Sequence, residues 1–246
     1  MKIAAILATA GLACAASAQR NAIDIKVRLS GDQAWADSLN YVSPIGSTTP
    51  AHVEVGIFYE RATGYGFSGA VHNVLVHNWD TINDVVTLLD RPDSAQHPDG
   101  RQGRFNFGAQ RQAVYLGGVE PNKLRIAAAN NTQDALGGGI SVKQNTPSAS
   151  GSSFDTSNPV LAFRFDVTLA CRPSGVVTTY DFEIPIERVA NFAIYSTQQS
   201  TNGTNVSLSS LVLDGAAVQT QWQVVPAPGA LAVAGLAGLA AARRKR

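Results

Sequence analysis

The residues whose types could do chemistry are few and scattered. Gly64-Tyr65-Gly66-Phe67-Ser68-Gly69 matches G-x-G-x-x-G. A dinucleotide fingerprint needs a strand before that run and a helix after it, so that the helix N-terminus meets the pyrophosphate. Here Ala70-Val71-His72-Asn73-Val74-Leu75-Val76 follows, a strand-like run. A glycine-rich turn between strands is the expectation. Ser68 also sits in Gly66-Phe67-Ser68-Gly69-Ala70, which lacks the final glycine and the following helix of a nucleophile elbow. The four histidines, His52, His72, His77 and His97, contain no H-E-x-x-H spacing, so a zinc site would have to assemble from distant segments. They read as exposed strand residues, with His72 and His77 on opposite sides of their strand.

Two acidic groups stand out. Asp80, Asn83 and Asp84 follow Trp79, and oxygen donors clustered on a loop can hold Ca²⁺. The spacing is not that of an EF-hand, and Asx side chains capping a turn use the same residues. Calcium is the single metal reading, and no other cofactor is expected. Asp181, Glu183 and Glu187 form the second group. A glycosidase needs two carboxylates facing each other across a cleft. Alternation instead puts Tyr180, Phe182 and Ile184 on the core and leaves Asp181 and Glu183 on a wet outer face. No catalytic residue is assigned, and the chain is expected not to be an enzyme. A secreted hydrolase remains the third reading.

The tryptophans supply the second reading, a carbohydrate-binding module. Trp35 and Trp79, with the long polar stretch from Arg91 to Arg111, could offer rings for sugar stacking and amides for hydroxyls. The competing role for both rings is to fill the core. Cys171 shares the phase of Phe163, Phe165 and Leu169 and reads as a small buried hydrophobe.

These residues must be positioned by strands. Ile23, Ile25, Val27 and Leu29 alternate with Asp24, Lys26, Arg28 and Ser30. Val53, Val55, Ile57 and Tyr59 do the same, and so does the longer series Leu161, Phe163, Phe165, Val167, Leu169 and Cys171. A period of two means one face on a core and one toward water. Further strands are expected at 69–77, 84–89, 104–108, 112–116, 123–129, 139–143, 176–184, 190–196, 205–213 and 217–224. Turn residues such as Gly117-Gly118, Pro173-Ser174-Gly175 and Asn202-Gly203 separate many of them. No helical stripe is sustained over three turns, and Ser148–Ser153 reads as a surface loop. The fold class is all-β, an antiparallel β-sandwich. The strand Val53–Tyr59, the segment Gly69–Val74 and the strand Leu161–Cys171 loosely resemble cohesin-like (or jelly-roll) and carbohydrate-module sandwiches. That resemblance implies the architecture and no functional residue.

The ends read as addresses. Met1-Lys2, an apolar run from Ile3 to Ala15, and Ala16-Ser17-Ala18 before Gln19 make a secretory signal peptide cleaved after Ala18. A lipoprotein signal at Cys14 is the competing reading, but Gly11 stands where a lipobox wants Leu. At the other end, Pro226-Ala227-Pro228-Gly229 precedes the apolar stretch Ala230–Ala242 and the cluster Arg243-Arg244-Lys245-Arg246. As a helix that stretch would reach about 20 Å, short of the roughly 30 Å hydrocarbon core. The basic cluster would stay cytoplasmic while the body is exported.

This tail resembles the PEP-CTERM sorting signal, with Ala227 where that motif has Glu. The resemblance implies an exosortase-type transpeptidase as partner and transient membrane association through a short C-terminal apolar helix. It also implies a structural or adhesive role near extracellular polysaccharide, at the cell surface or in the matrix of a Gram-negative-type bacterium. The expected organisation is a signal peptide over 1–18, a sandwich over 19–222 and a sorting tail over 223–246. Charge argues against nucleic acid and against a body held to anionic lipid by its own charge. The net charge is +1, but Lys2, Arg243, Arg244, Lys245 and Arg246 lie in the end segments. With those five set aside, 14 bases face 18 acids, and nucleic-acid binding is not expected.

Overall fold

The computed structural model describes residues 20–32, 34–89, 105–107, 111–115, 122–128, 140–150 and 154–223. The signal peptide and the tail from Val224 onward lie outside the described residues, as do His97 and most of the Arg91–Arg111 stretch. The described chain is all-β. One sheet has the order β15 (Leu211–Asp214), β1 (Asn21–Leu29), β3 (Ala51–Glu60), β11 (Val160–Leu169) and β6 (Val85–Leu89). A second runs β14 (Thr204–Asn205), β13 (Val189–Tyr195), β4 (Gly66–His72), β10 (Ile140–Gln144) and β7 (Phe105–Phe107). A third runs β2 (Ser38–Val42), β16 (Ala216–Gln221), β12 (Val177–Glu183), β5 (Val74–His77), β9 (Lys123–Ala128) and β8 (Arg111–Tyr115).

The three sheets make two layers. Only Asn73 separates β4 from β5, so the second and third sheets hand over to each other there. The first sheet packs its inner face on this composite layer. Tyr59 of β3 stacks on Phe67 of β4 with ring centres 4.3 Å apart, and Phe165 of β11 meets Phe182 of β12 at 6.4 Å. The alternation read from the sequence explains the shared core. Ile23, Ile25, Val27, Val53, Val55, Ile57 and Tyr59 are all at most 1% exposed. Each such side chain contributes about 1.5–3 kcal/mol on burial. One apolar cluster runs from Ile23 to Trp222.

Several expectations need correcting. The run 69–77 is two strands, broken at Asn73. The run 205–213 is a fragment of β14, a 3₁₀ turn at Leu208–Ser210 and β15. β2 was not legible, and the Ser148–Ser153 tract holds part of a one-turn helix, α1 (Pro147–Ser150). Two edge pairs, β1 with β15 and β16 with β2, are parallel rather than antiparallel. These partners are far apart in sequence, and only a tight hairpin forces the antiparallel sense.

The Leu161–Cys171 series does not keep one face. The register against β3 slips between Leu161 and Phe163, leaving Ala162 as the extra residue. Leu161 then pairs with the outward Phe58, while Phe163 pairs with the inward Ile57. A bulge inverts the alternation, which residue type alone does not reveal. Outside the sheet, Leu161, Phe58 and Trp35 close over Gly56. The outer face is therefore partly covered. Beside that cover Glu54 and Arg164, both buried, pair at 3.2 Å, and Arg28 holds Glu54 at 2.6 Å.

Candidate functional site

The loop from Asn78 to Asp84 leads β5 into β6 and gathers most of the residues singled out in the sequence. Trp79 turns inward and is 4% exposed, and its backbone N–H donates to the Asn122 carbonyl at 2.9 Å. It is core, and its reading as a sugar platform is corrected. Asp80 closes an Asx turn by accepting from the Ile82 N–H at 2.9 Å. Asn83 donates its side-chain amide to Asp80 Oδ2 at 2.8 Å. Asp84, its side chain wholly buried, accepts from the backbone N–H groups of Asp80 and Ala170, each at 2.9 Å.

A cation does sit between the two carboxylates, and it is Arg172. Its guanidinium donates to Asp80 Oδ2, to Asp84 Oδ2 at 2.8 Å and to the Tyr180 hydroxyl at 2.7 Å. The Asn83 amide, the Ile82 N–H and Arg172 hold the Asp80 carboxyl down to about 2. Burial and the Asp84 charge push the Tyr180 hydroxyl up. Two of the three residues read as a calcium group, Asp80 and Asp84, thus bind a guanidinium, while Asn83 hydrogen-bonds Asp80. Among the described residues no three His, Cys, Asp or Glu side chains converge as a metal group. A cleft of about 410 Å³, lined by Asn78, Trp79, Ile82, Asn122 and Thr178, rests on this clasp.

Trp35 lies half-buried on the outer face of the first sheet. It meets Phe58 edge-on at 5.5 Å, and the Arg28 guanidinium stands 4.2 Å from its ring centre. One ring face is therefore taken by a cation–π contact. The structure does not bring Trp35 and Trp79 together, since one caps a sheet from outside and the other fills the interior.

The acids of β12 fall where alternation put them. Tyr180, Phe182 and Ile184 are buried, and Asp181 is exposed. Asp181 and Glu183 line a cleft of about 450 Å³ with Asp37, Leu213 and Ala216. Glu183 is bound to His77 Nε2 at 2.5 Å, and Asp37 to Lys26 at 2.6 Å. Asp181 is exposed, and the Glu183 and Asp37 side chains are 46% and 77% exposed.

His72 is not an exposed strand histidine. It is wholly buried, and its Nε2 meets the Tyr59 hydroxyl at 2.5 Å. Burial lowers its pKa to about 4, so the ring is neutral at ordinary pH. Cys171 is half-buried rather than buried, and its Sγ approaches the Arg172 carbonyl at 3.4 Å. The run expected as a turn is mostly strand: Gly64 and Tyr65 lie in the turn, Gly66, Ser68 and Gly69 lie within β4, and no helix follows.

What the sequence reading missed is the end of the sandwich from which the tail departs. Trp222 is wholly buried, and its ring N–H donates to the Thr49 carbonyl at 3.2 Å. The Gln223 N–H donates to Ser43 Oγ at 2.9 Å, and its carbonyl accepts from Gly46 at 2.6 Å. Around this exit stand Val42, Ile45, Val176 and Val177, exposed by 46%, 75%, 44% and 50%. Val42 and Val177 flank Gln221 across the ladder on either side. Segments 38–51, 173–180 and 215–223 carry no charged residue. That blank in the charge pattern was the signal available.

No family model matches the chain, and no curated protein matches it. Among solved structures, the chain is similar to a type I cohesin in a cohesin–dockerin complex from Clostridium thermocellum. Identity is 10%, the match covers 82% of this chain and 99% of that one, and the TM-score is 0.36. The sixth cohesin of scaffoldin B from Acetivibrio cellulolyticus matches at 10% identity over 82% of this chain and 97% of that one, with a TM-score of 0.35. The human F-spondin reeler domain matches at 10% identity over 77% and 95%, with a TM-score of 0.25. Scores this low leave the architecture to be read from the strands themselves.

Proposed function

We propose that this chain is an exported, non-catalytic β-sandwich, delivered to the cell surface or matrix by its leader and its PEP-CTERM-like tail. An exosortase-type transpeptidase would process the tail. The role is structural or adhesive, in contact with extracellular polysaccharide. One observation carries the reading most of the way. The sandwich closes at Trp222 and Gln223, immediately upstream of the Pro226-Ala227-Pro228 motif. A cut near that motif would leave every described strand in place, as a processed tail requires. The chemistry-bearing residues support the non-catalytic part. The Asp80–Asp84 pair is spent on Arg172, Glu183 on His77, and His72 on Tyr59.

The test is mass spectrometry of the chain recovered from the producing cells, by fraction. The expected mature species begins at Gln19, ends near Pro228 and sits in the envelope or medium. A cytosolic chain with Arg246 intact would overturn the proposal.

A further inference from the structure

We propose that the uncharged end of the sandwich, tipped by Val42, Ile45, Val176 and Val177, rests on the lipid surface while the tail is still attached. This rests on the tail reading above and names what the body touches before it is released. The argument begins with reach. Six residues, Val224–Gly229, join Gln223 to the apolar stretch that starts at Ala230. Even fully extended, that spacer spans at most roughly 25 Å. A chain held by Ala230–Ala242 therefore keeps its exit end close to the headgroups.

The exit end is built for that neighbourhood. Four aliphatic side chains stand exposed around Gln221–Gln223. Behind them Tyr41 packs on Trp222 at 5.7 Å. No charge lies in the three segments that form this tip. Arg172, next in the chain to the segment 173–180, is already held by Asp80 and Asp84. The opposite end differs. There Arg20 binds Asp214 at 2.6 Å and Asp24 and Glu60 at 3.1 Å, an ionic cluster that belongs in water. Charges are costly to bring against hydrocarbon, and aliphatic tips gain by it. The sandwich is thus polarised along its long axis, with its bare end on the side of the tail.

The experiment uses the chain from Gln19 through Arg246 on vesicles of phosphatidylethanolamine and phosphatidylglycerol. Single cysteines replace Ile45, Val176 or Ile186 in a Cys171→Ala background, each carrying an environment-sensitive fluorophore. Ile186 is 48% exposed and lies beyond the far end of β12, so it serves as the reference. The expected result is co-flotation, with emission at 45 and 176 brightened, blue-shifted and quenched by spin-labelled lipid, and 186 unchanged. Flotation with 45 and 176 behaving like 186 would sink the lipid contact and leave the tail reading intact. No flotation would sink both. Brightening that needs no vesicles and grows with protein concentration would overturn the lipid contact in favour of a second copy of the chain.

Discussion

His72 shows what burial does to a single titratable ring. Its folded pKa lies near 4, below the ordinary 6.5, because charging it would place an imidazolium in the core. The unfolded chain binds that proton first, so stability is full above pH 6.5 and falls as pH drops toward 4. The loss from this one group is about 3 kcal/mol. Urea denaturation of wild type and His72→Gln at pH 7.5 and pH 4.5 checks it, and the variant should lose much less stability over that interval. Arg172 is the complementary case. Asp84 is buried, and removing its guanidinium partner leaves an uncompensated charge. Arg172→Met should cost about 3–5 kcal/mol, with Arg172→Met/Asp84→Asn recovering part of it. Adding millimolar Ca²⁺ to the wild type should leave its melting temperature unchanged. A clear rise would return Asp80 and Asp84 to the metal reading. The sequence displayed these carboxylates plainly. It did not display Arg172, 88 residues from Asp84, whose approach depends on β11 pairing beside β6.

At the scale of elements, alternation located the inner faces of β1, β3 and β12 residue by residue. It failed at β11, where an unpaired Ala162 exchanges the two faces and sends Leu161 outward to Phe58 and Trp35. A bulge is chosen by the partner strand's register and leaves no mark in a hydrophobic pattern. The turn before β4 is a position where residue type is decisive. Gly64 has φ near +87°, and a Cβ there would stand 2.7 Å from the Tyr195 carbonyl oxygen. That oxygen accepts the Tyr65 N–H at 2.7 Å, so it has little room to retreat. Gly64→Ala should therefore destabilise by about 1–3 kcal/mol. Thermal melts against Gly175→Ala, which has a positive φ but an open surrounding, separate steric closeness from backbone strain.

For the whole molecule, the exit of the chain makes a sharp boundary. A stop after Gln223 should leave the melting transition within a few degrees of the tail-bearing chain, because the last core residue is still present. A stop after Gln221 removes Trp222, which is wholly buried, and should cost about 3–5 kcal/mol, like other large-to-small core losses. Calorimetry of the two truncations locates that boundary, and equal melting temperatures would contradict it. The sequence alone determined the fold class, the inner faces of most strands and the expectation of transport signals at both ends. These are local properties, written in periods of two or in contiguous runs. Only the tertiary structure decided that Trp79 is core, that Asp80 and Asp84 bind an arginine, that two edge pairs run parallel, and that the uncharged segments 38–51, 173–180 and 215–223 meet at one tip. Each of those depends on which distant strands become neighbours, and pairing between remote segments is set by the packing of the complete sandwich.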